Sequence, residues 1–557
     1  MRHRGSLLLS FFFLAALSLH SAQPSAPPRL AVLISVDQMR ADYLVRFRPY
    51  FGAGGFQRFL DQGAWFQDCH YLHAVTKTAP GHATIPSGVH ANVHGIVAND
   101  WLDRTTFLSS NNVEDVDAPL VGLAPRIGRH ANATFAAKAG RSPRNFLGVT
   151  VGDRLKAKYG AAAKVFGVAD KDRAAILMSG PKADGAYWTE EGRFVTSRYY
   201  RSALPDWLEC FNRERGAAEY FGQTWDRLLD PAIYDRVQGP DAAPGERDED
   251  GLGVTFPRIV NGGKNKISGA YFEAFDHAPW NNDLVAELAE RLVEHEKLGA
   301  DLTPDLLCVG FSQTDKAGHA YGPDSHEVMD SYLRLDRTLA ELFRFLDEKV
   351  GAGNWVVALT ADHGVAPLVE RTQREQGATA AGRLSGGALD KFLFAALDAA
   401  YGPLSADVYW AVRDNSGYHL NPAALAAKQL TAAQLEAKIA GILPTHPMIA
   451  AAYTREQLTG PGPLDRWGEM ERLSYYAPRS TDVVYISKPN FVESPSGGTT
   501  HGTPHEYDTH VPQVWYGLGV QAGVHPENVA VEDLAPTLAA LLGVTLPPEA
   551  KGRNLFK

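Results

Sequence analysis

The sequence predicts an α/β fold in which a mostly parallel central sheet is flanked by helices. Three observations support this prediction. Short apolar, β-branched runs of the kind that are buried on both faces of a sheet recur along the chain. Helical patterns separate several of these runs, and a strand–helix–strand order is typical of parallel strands joined by crossovers. Several runs also end at an aspartate, as expected where strands bring polar groups to one sheet edge.

Each predicted element follows from a local pattern. The apolar runs predict five strands: Leu30 to Val36, Lys164 to Asp170, Asp305 to Asp315, Asn354 to Gly364, and Pro512 to Val520. Residues 325–351 predict a long amphipathic helix with Ser325 as its N-cap, and its apolar face holds Val328, Tyr332, Leu335, Leu339, Leu342 and Phe345. Residues 281–297 predict a second helix, which precedes the third strand.

Two segments do not follow this alternation of strands and helices. Residues of about 180–275 are rich in aromatic residues, Gly and Arg, and they include a predicted hairpin with its turn at Glu191 and Gly192. Residues of about 370–480 contain Ala-rich helices interrupted by Pro and Gly. We interpret both as large insertions, at about 180–275 and 370–480, that lie over the sheet edge where the polar groups meet, within a single domain spanning residues 28–557.

The N-terminus and the composition indicate an exported protein. Residues 1–22 combine a basic start, a short apolar run and a small-residue region that ends near Ala22, which is the pattern of a signal peptide. No later segment reaches the roughly 20 apolar residues that a membrane span needs. We therefore expect a periplasmic or secreted protein without a transmembrane segment in the mature chain, and a monomer.

The charge and the cysteines exclude further classes. A net charge of −10 argues against a nucleic-acid scaffold, which needs a basic face. Three cysteines, Cys69, Cys210 and Cys308, are too few for a disulfide framework and allow at most one bridge. Their spacing does not match a zinc site.

The predicted strand ends and one later segment hold candidate metal ligands. Asp37 follows the first strand, and Asp170 follows the second. Asp315 and His319 stand four residues apart, and Asp362 precedes His363 directly. A later segment offers His501, His505 and His510.

Each of these patterns alone is more typical of a solvated side chain than of a metal ligand. Together, oxygen and imidazole ligands without a thiolate suit zinc or a similar divalent ion. One zinc ion needs three or four ligands, so the following six are enough for two ions: Asp37, Asp315, His319, Asp362, His363 and His501. Two ions about 4 Å apart can clamp an in-line displacement at phosphorus.

A series of motifs points to one superfamily. S-V-D, T-x-T-A-P-G-H, G-x-x-x-N-D-W, D-K-D-R, D-x-x-G-H-x-x-G-P, A-D-H-G and H-G occur in this order between residues 35 and 502. In this combination they resemble the alkaline phosphatase superfamily. The closest resemblance is to the threonine-nucleophile bacterial phosphatases of the PafA/PhoK type, which are related to nucleotide pyrophosphatase/phosphodiesterases. The resemblance implies an alkaline-phosphatase-like fold over most of the chain.

The resemblance also implies roles for individual residues. Thr78 matches the nucleophile, which also contacts one of two zinc ions, and Asp37, Asp362 and His363 match the other ligands of that ion. Asp315, His319 and His501 match the ligands of the second ion, with His501 chosen over His505 and His510 because it occupies the His-Gly position. Substrate contacts are implied for three residues: Asn99, which matches a donor to a phosphoryl oxygen, and the pair Lys171 and Arg173, which distinguishes the monoesterase branch.

Physical chemistry supports Thr78 as the nucleophile. Pro80 is typical of a first helical turn, so Thr78 lies where free N–H groups and the positive helix end favour an oxyanion. Coordination to a divalent cation can lower the pKa of its hydroxyl toward working pH. The implied reaction is metal-dependent hydrolysis of small phosphate monoesters through a phosphothreonine.

Three alternative functions account for parts of the same pattern. A phosphodiesterase or nucleotide pyrophosphatase would use the same metals and the same Thr, and it is the nearest alternative; the Lys171 and Arg173 pair argues against it. A sulfatase would need Cys or Ser at position 78 and Arg four residues later, where Thr78 and His82 stand. A metal-storing or adhesive protein with a decayed site is disfavoured because every expected catalytic position holds a competent residue.

Overall fold

The computed structural model describes residues 26–123, 140–248, 251 and 253–556. The predicted signal peptide at residues 1–22 lies outside this part of the chain. None of the described helices combines the length and the apolar character that a bilayer crossing requires.

A ten-stranded sheet forms the centre of the protein. Its strands, in chain order, are β1 (Leu30–Val36), β2 (Ala64–His70), β3 (Leu120–Val121), β4 (Val165–Ala169), β5 (Gly185–Glu190), β6 (Arg193–Ser197), β7 (Asp305–Phe311), β8 (Trp355–Thr360), β9 (Gln513–Gly517) and β10 (Gly523–Ala530). Their order across the sheet is β10-β2-β9-β8-β1-β7-β4-β5-β6-β3. All five strands predicted from the sequence are present.

The middle of this sheet is parallel. Strand β1 pairs in parallel with β7 and β8, and the parallel pairing continues from β7 through β4 to β5. All seven residues of β1 are buried, as its apolar, β-branched sequence predicts. The strand predicted at residues 512–520 forms as β9, but it runs antiparallel to both of its neighbours. The sheet as a whole is therefore mixed, and its parallel centre carries the strand ends discussed below.

Helices pack against the sheet and in the connecting segments. The two predicted helices form at His326–Leu346, where the Ser325 hydroxyl accepts the Val328 N–H at 3.2 Å, and at Trp280–Glu296. The other helices of eight or more residues are Thr78–Ser87, Val151–Tyr159, Asp172–Ser179, Asp206–Glu214, Pro231–Gln238, Gly269–His277, Gln313–Tyr321, Val369–Gln376, Gly386–Tyr401, Ala432–Ile442, Arg466–Ser474 and Leu534–Leu541. Shorter helices span Tyr43–Arg46, Phe56–Gln62, Ala91–His94, Pro422–Lys428, Arg455–Thr459 and Glu506–Thr509.

The predicted hairpin in the first irregular segment forms, but its location differs from the expectation. Glu191 and Gly192 have φ values of 51° and 71°, the left-handed pair that a two-residue hairpin turn needs. The two strands on either side of this turn are β5 and β6, and β5 pairs with β4. The hairpin therefore widens the central sheet instead of lying over its edge.

The second irregular segment forms a smaller sheet with its own apolar cluster. Its strands, in spatial order, are Ala411–Asp414, Gly417–Leu420, Val483–Ser487 and Ile449–Thr454. Leu389, Leu393 and Ile439 from two neighbouring helices are buried in the cluster that covers this sheet. Three two-stranded ribbons complete the described strands: Asp100–Leu102 with Ser109–Asn111, Thr224–Trp225 with Arg258–Ile259, and Gly382–Arg383 with Phe491–Val492.

The three cysteines are free thiols in this structure. Cys69 and Cys308 are buried on strands β2 and β7, while Cys210 is partly exposed on the helix Asp206–Glu214. Burial raises the pKa of the Cys69 and Cys308 thiols, so both behave as small apolar core residues.

Candidate metal centre and active site

Three aspartates meet at the carboxyl edge of the parallel strands. Asp37 directly follows β1, Asp362 lies two residues after β8, and Asp315 lies in the helix that follows β7. Because β1 lies between β7 and β8, all three carboxylates reach the same place. Two groups of potential metal ligands result, each with ligand atoms within 4.8 Å of one another: Asp37, Asp362 and His363, and Asp315, His363 and His501.

The first group is buried and leaves carboxylate oxygens unpaired. His363 Nε2 is 3.3 Å from Asp362 Oδ2 and 3.5 Å from Asp37 Oδ1. Both of these oxygens are buried and have no hydrogen-bond partner among the described residues. Thr78 Oγ1 lies 3.5 Å from the same imidazole nitrogen. Unpaired buried carboxylate oxygens are costly, and a divalent cation between them removes that cost, so the group fits a metal ion.

The second group lies against the first. Asp315 Oδ1 is 3.2 Å from His319 Nε2 and 3.7 Å from His501 Nε2. The rings of His363 and His501 stack with their centroids 3.4 Å apart. The six side chains predicted as ligands from the sequence are therefore brought together as two adjoining clusters.

Backbone carbonyls fix the orientation of all three histidines. Each ring directs Nδ1 at a carbonyl oxygen, which only accepts hydrogen bonds, so Nδ1 carries a proton and Nε2 is the nitrogen that faces the carboxylates. The pairs are His319 with Thr499 at 2.8 Å, His363 with Gly364 at 2.9 Å, and His501 with Thr76 at 2.8 Å. This is the arrangement by which proteins orient metal-binding imidazoles.

The electrostatics keep two of the three imidazoles neutral, those of His363 and His501. Burial lowers the pKa of His363 to about 3, and burial with the neighbouring His363 holds the pKa of His501 well below its ordinary value. Burial also opposes the charge of His319, but the neighbouring Asp315 carboxylate raises the pKa of His319 above its ordinary value. Burial and the charge of Asp37 raise the pKa of Asp362. Burial acts on Asp315 in the same direction, but His319 and Lys171 bring the pKa of Asp315 well below its ordinary value. Metal binding requires neutral imidazoles, which His363 and His501 provide, and at His319 a divalent cation would take the place of the proton that Asp315 favours.

Lys171 bridges the two clusters. Its Nζ lies 2.7 Å from Asp37 Oδ2 and 2.6 Å from Asp315 Oδ2. Burial opposes the charge, but the attraction of Asp315 and Asp37 raises the pKa of Lys171, so the ammonium stays protonated. Lys171 and Arg173 also line a cleft of about 590 Å³ that borders Asp315 and His319. Within the described part of the chain, the Arg173 Nε is buried without a hydrogen-bond partner.

The helix Thr78–Ser87 positions the Thr78 hydroxyl at the site. It begins at Thr78 itself, with Lys77 as the N-cap, so Thr78 stands at the positive helix end as predicted. Asn99 Oδ1 accepts the N–H of Ala79 at 2.8 Å. A Cβ at Gly81 would stand 2.3 Å from the Asp362 carbonyl oxygen, so glycine is required for this helix to approach the Asp362 segment.

Two residues that sequence reasoning did not single out support the clusters. His82 Nδ1 lies 2.8 Å from the Thr78 carbonyl oxygen and 3.3 Å from Asp362 Oδ2. Gln38 donates its backbone N–H to Asp362 Oδ1 at 3.1 Å and its side-chain amide to Asp315 Oδ1 at 2.7 Å. The position of His82, one helical turn after Thr78, was a usable signal. The sequence contains no such signal for Gln38, because its contacts depend on a left-handed φ of 66°.

Other candidate side chains lie elsewhere or have other partners. His505 Nε2 is 2.9 Å from the Ser487 carbonyl oxygen, and Asp170 accepts a hydrogen bond from the Thr189 hydroxyl at 2.5 Å. His510 belongs to a separate group with Asp68 and His70. Of the three histidines in the segment 501–510, only His501 therefore contributes to the two clusters.

Comparisons with known proteins agree with this site. A family model described as type I phosphodiesterase / nucleotide pyrophosphatase matches residues 31–510. Alkaline phosphatase PafA of Elizabethkingia meningoseptica is 32% identical over 95% of this chain and 94% of its own. Alkaline phosphatase PhoV of Synechococcus elongatus is 31% identical, over 95% of this chain and 93% of its own.

The three-dimensional comparison gives the same result. The crystal structure of wild-type PafA matches with a TM-score of 0.86 at 31% identity, and the match covers 95% of this chain and 98% of that one. Sheet, ligand clusters and sequence relatives thus agree on a divalent metal site in a phosphatase. The chain therefore belongs to the type I phosphodiesterase and nucleotide pyrophosphatase family of the alkaline phosphatase superfamily, on its PafA-type branch of phosphate monoester hydrolases.

Proposed function

We propose that the enzyme hydrolyses small phosphate monoesters with two zinc ions and a phosphothreonine intermediate on Thr78. One observation carries this proposal. The Thr78 hydroxyl and two unpaired carboxylate oxygens, from Asp37 and Asp362, all lie close to His363 Nε2. An alcohol surrounded by free ligand atoms at a helix N-terminus has the environment that a nucleophile needs.

The proposed ligand sets follow the two clusters. Asp37, Asp362, His363 and the Thr78 hydroxyl would hold one ion. Asp315, His319 and His501 would hold the other. When bound, the zinc pair would supply positive charge that lowers the pKa of the Thr78 hydroxyl and stabilises the leaving oxygen.

The protein's own groups would bind and orient the phosphoryl group. The Asn99 side chain is held by its Oδ1, which leaves its amide NH₂ available to donate to a phosphoryl oxygen. Lys171 stands between the two clusters, and Arg173 lines the adjoining cleft. A monoester dianion carries one more charge than a diester, so two cations at this point favour monoesters.

A phosphodiesterase or nucleotide pyrophosphatase remains the second candidate, because the matching family model carries that description. It would use the same nucleophile and ligands but would gain less from Lys171 and Arg173. We further propose that residues 28–557 act as one catalytic domain in a monomer, and that the protein is exported after cleavage of residues 1–22, as the N-terminal pattern indicates.

Replacing both Lys171 and Arg173 by Ala tests the monoester assignment. We expect kcat/KM for a monoester to fall about 100-fold or more, because charge-assisted hydrogen bonds to the phosphoryl group are lost. The kcat/KM for a diester with the same leaving group should fall by no more than about tenfold. Side-by-side kinetics of the wild type and the double variant on both esters, with metal content measured on each preparation, give the answer. Equal losses on the two esters would refute the assignment of this pair to the monoester charge.

A further inference from the structure

A hairpin from the second irregular segment contacts Lys77, the residue just before the proposed nucleophile Thr78. Its strands, Ala411–Asp414 and Gly417–Leu420, belong to the small sheet, and its turn places Asn415 next to Lys77. Asn415 has a left-handed φ of 48°, a conformation that asparagine tolerates better than most residues. The turn thus directs one amide side chain toward the active-site edge of the central sheet.

The Asn415 amide connects two separate segments. Its Oδ1 accepts a hydrogen bond from Lys77 Nζ at 2.5 Å. Its Nδ2 donates to the carbonyl oxygen of Asp100 at 3.0 Å and to Asp414 Oδ1 at 2.9 Å. Asp414 Oδ2 in turn accepts the N–H of Leu102 at 2.9 Å. Asn415 therefore links Lys77, the residue before Thr78, to the segment that follows Asn99.

These contacts close a ring through the nucleophile. The ring runs from Lys77 to Asn415, from Asn415 to Asp100, along the chain to Asn99, and from the Asn99 side chain to the N–H of Ala79. Thr78 lies between the two ends, Lys77 and Ala79. A closed set of hydrogen bonds fixes the distance between the Thr78 hydroxyl and the Asn99 amide more tightly than either segment does alone.

Other contacts support the same segments but do not link them. The Asn99 carbonyl oxygen accepts hydrogen bonds from the backbone and the side chain of Asn112. The Thr76 hydroxyl donates to the Thr503 carbonyl oxygen at 2.9 Å. Only the Asn415 amide, within the described part of the chain, hydrogen-bonds to both Lys77 and the Asn99–Leu102 segment.

We propose that Asn415 is a positioning residue for phosphoryl transfer, which holds the Asn99 amide in register with the Thr78 hydroxyl. This inference rests on the proposed function, since it assigns Thr78 and Asn99 their roles in that reaction. Asn415 itself does not contact the reacting atoms. Its effect passes through Asn99 and through Lys77, and a small misplacement of catalytic groups has large effects on rate.

The test compares two variants with a matched control. Asn415→Gly keeps the left-handed backbone and removes all three side-chain hydrogen bonds, to Lys77, to the Asp100 carbonyl oxygen and to Asp414. Asn415→Asp keeps an acceptor for Lys77 and loses the donor to the Asp100 carbonyl oxygen. Asn490→Gly is the control, because Asn490 also has a left-handed φ, of 66°, and lies outside the ring. We expect both Asn415 variants to lower kcat for a monoester about 10- to 100-fold with little change in KM, whereas the control stays within about twofold.

A double-mutant cycle separates positioning from general structural support. If Asn415 acts through Asn99, then Asn415→Gly should cost less than about threefold in a background that already carries Asn99→Ala. Equal losses in the two backgrounds, or an Asn415→Gly enzyme with unchanged kcat, would overturn the inference. Thr78→Ala distinguishes this failure from a failure of the proposed function: an active Thr78→Ala enzyme refutes the function, while an inactive one with additive Asn415 effects refutes only the positioning role.

Discussion

Replacing Thr78 by Ala is expected to lower kcat/KM for a phosphate monoester by roughly four orders of magnitude, which corresponds to about 5 kcal/mol of transition-state stabilisation. The variant removes the hydroxyl that lies 3.5 Å from His363 Nε2 and leaves every other ligand in place. In the proposed reaction no phosphothreonine can form without this hydroxyl, so only the binding and electrostatic contributions would remain. Steady-state kinetics on a chromogenic monoester measure the effect.

Thr78→Ser is the matched control, since serine keeps the hydroxyl and loses only the methyl group. We expect it to retain substantial activity. Thr78 is buried, with 1% of its surface exposed, so part of any loss with serine reflects altered packing. An alanine variant with activity close to the wild type would refute the nucleophile, and an inactive serine variant would show that the methyl group orients the hydroxyl.

Chelation of the bound metal is expected to abolish activity and to lower the melting temperature. The two clusters bury three carboxylates, of Asp37, Asp315 and Asp362, while Lys171 is the ammonium that contacts two of them. Without the divalent cations, the negative charges of these buried carboxylates are no longer balanced. The enzyme therefore loses folding stability as well as catalytic activity. We expect a loss in kcat of at least about 1000-fold, because the cations supply several kcal/mol of charge stabilisation.

Adding zinc should restore both the activity and the melting temperature. The melting temperature reports on metal binding at the site in the absence of substrate. Asp362→Asn serves as the matched variant, because it keeps the shape of the side chain and removes one negative charge from the first cluster. Its melting temperature should respond less to chelator than that of the wild type. Full activity after exhaustive chelation, verified by elemental analysis, would contradict a metal-dependent reaction.

Local sequence patterns predicted the centre of the fold well. Strand β1 is apolar at every position except Ser35, and the helix His326–Leu346 has an apolar face and a Ser cap that forms as predicted. Strand direction was harder to predict. Strand β9 was also predicted from an apolar run, but it pairs antiparallel with both of its neighbours. Which strands become neighbours in a sheet depends on long-range packing, which a local pattern does not contain.

The hairpin at Glu191 and Gly192 shows a similar limit. Its turn residues correctly predicted two strands joined at Glu191 and Gly192. Its place at the side of the central sheet depends on pairing between β5 and β4, which no pattern within the hairpin specifies.

The candidate site was largely predictable because its residues follow strand ends and carry strong motifs. Asp37, Asp362 and Asp315 come together as expected from their places after parallel strands. His501 could be separated from His505 and His510 only by its motif, and the structure brings only His501 to the clusters. Residues whose contacts depend on unusual backbone conformations, such as Gln38 and Asn415, could not be found in this way.

The most direct test of the central claim is anomalous diffraction from zinc-loaded crystals, measured on both sides of the zinc absorption edge. We predict two zinc peaks per chain. One should lie among Asp37, Asp362, His363 and the Thr78 hydroxyl, and the other among Asp315, His319 and His501. A single peak, or two peaks with the Thr78 hydroxyl outside coordination distance of both, would contradict activation of Thr78 by a pair of metal ions.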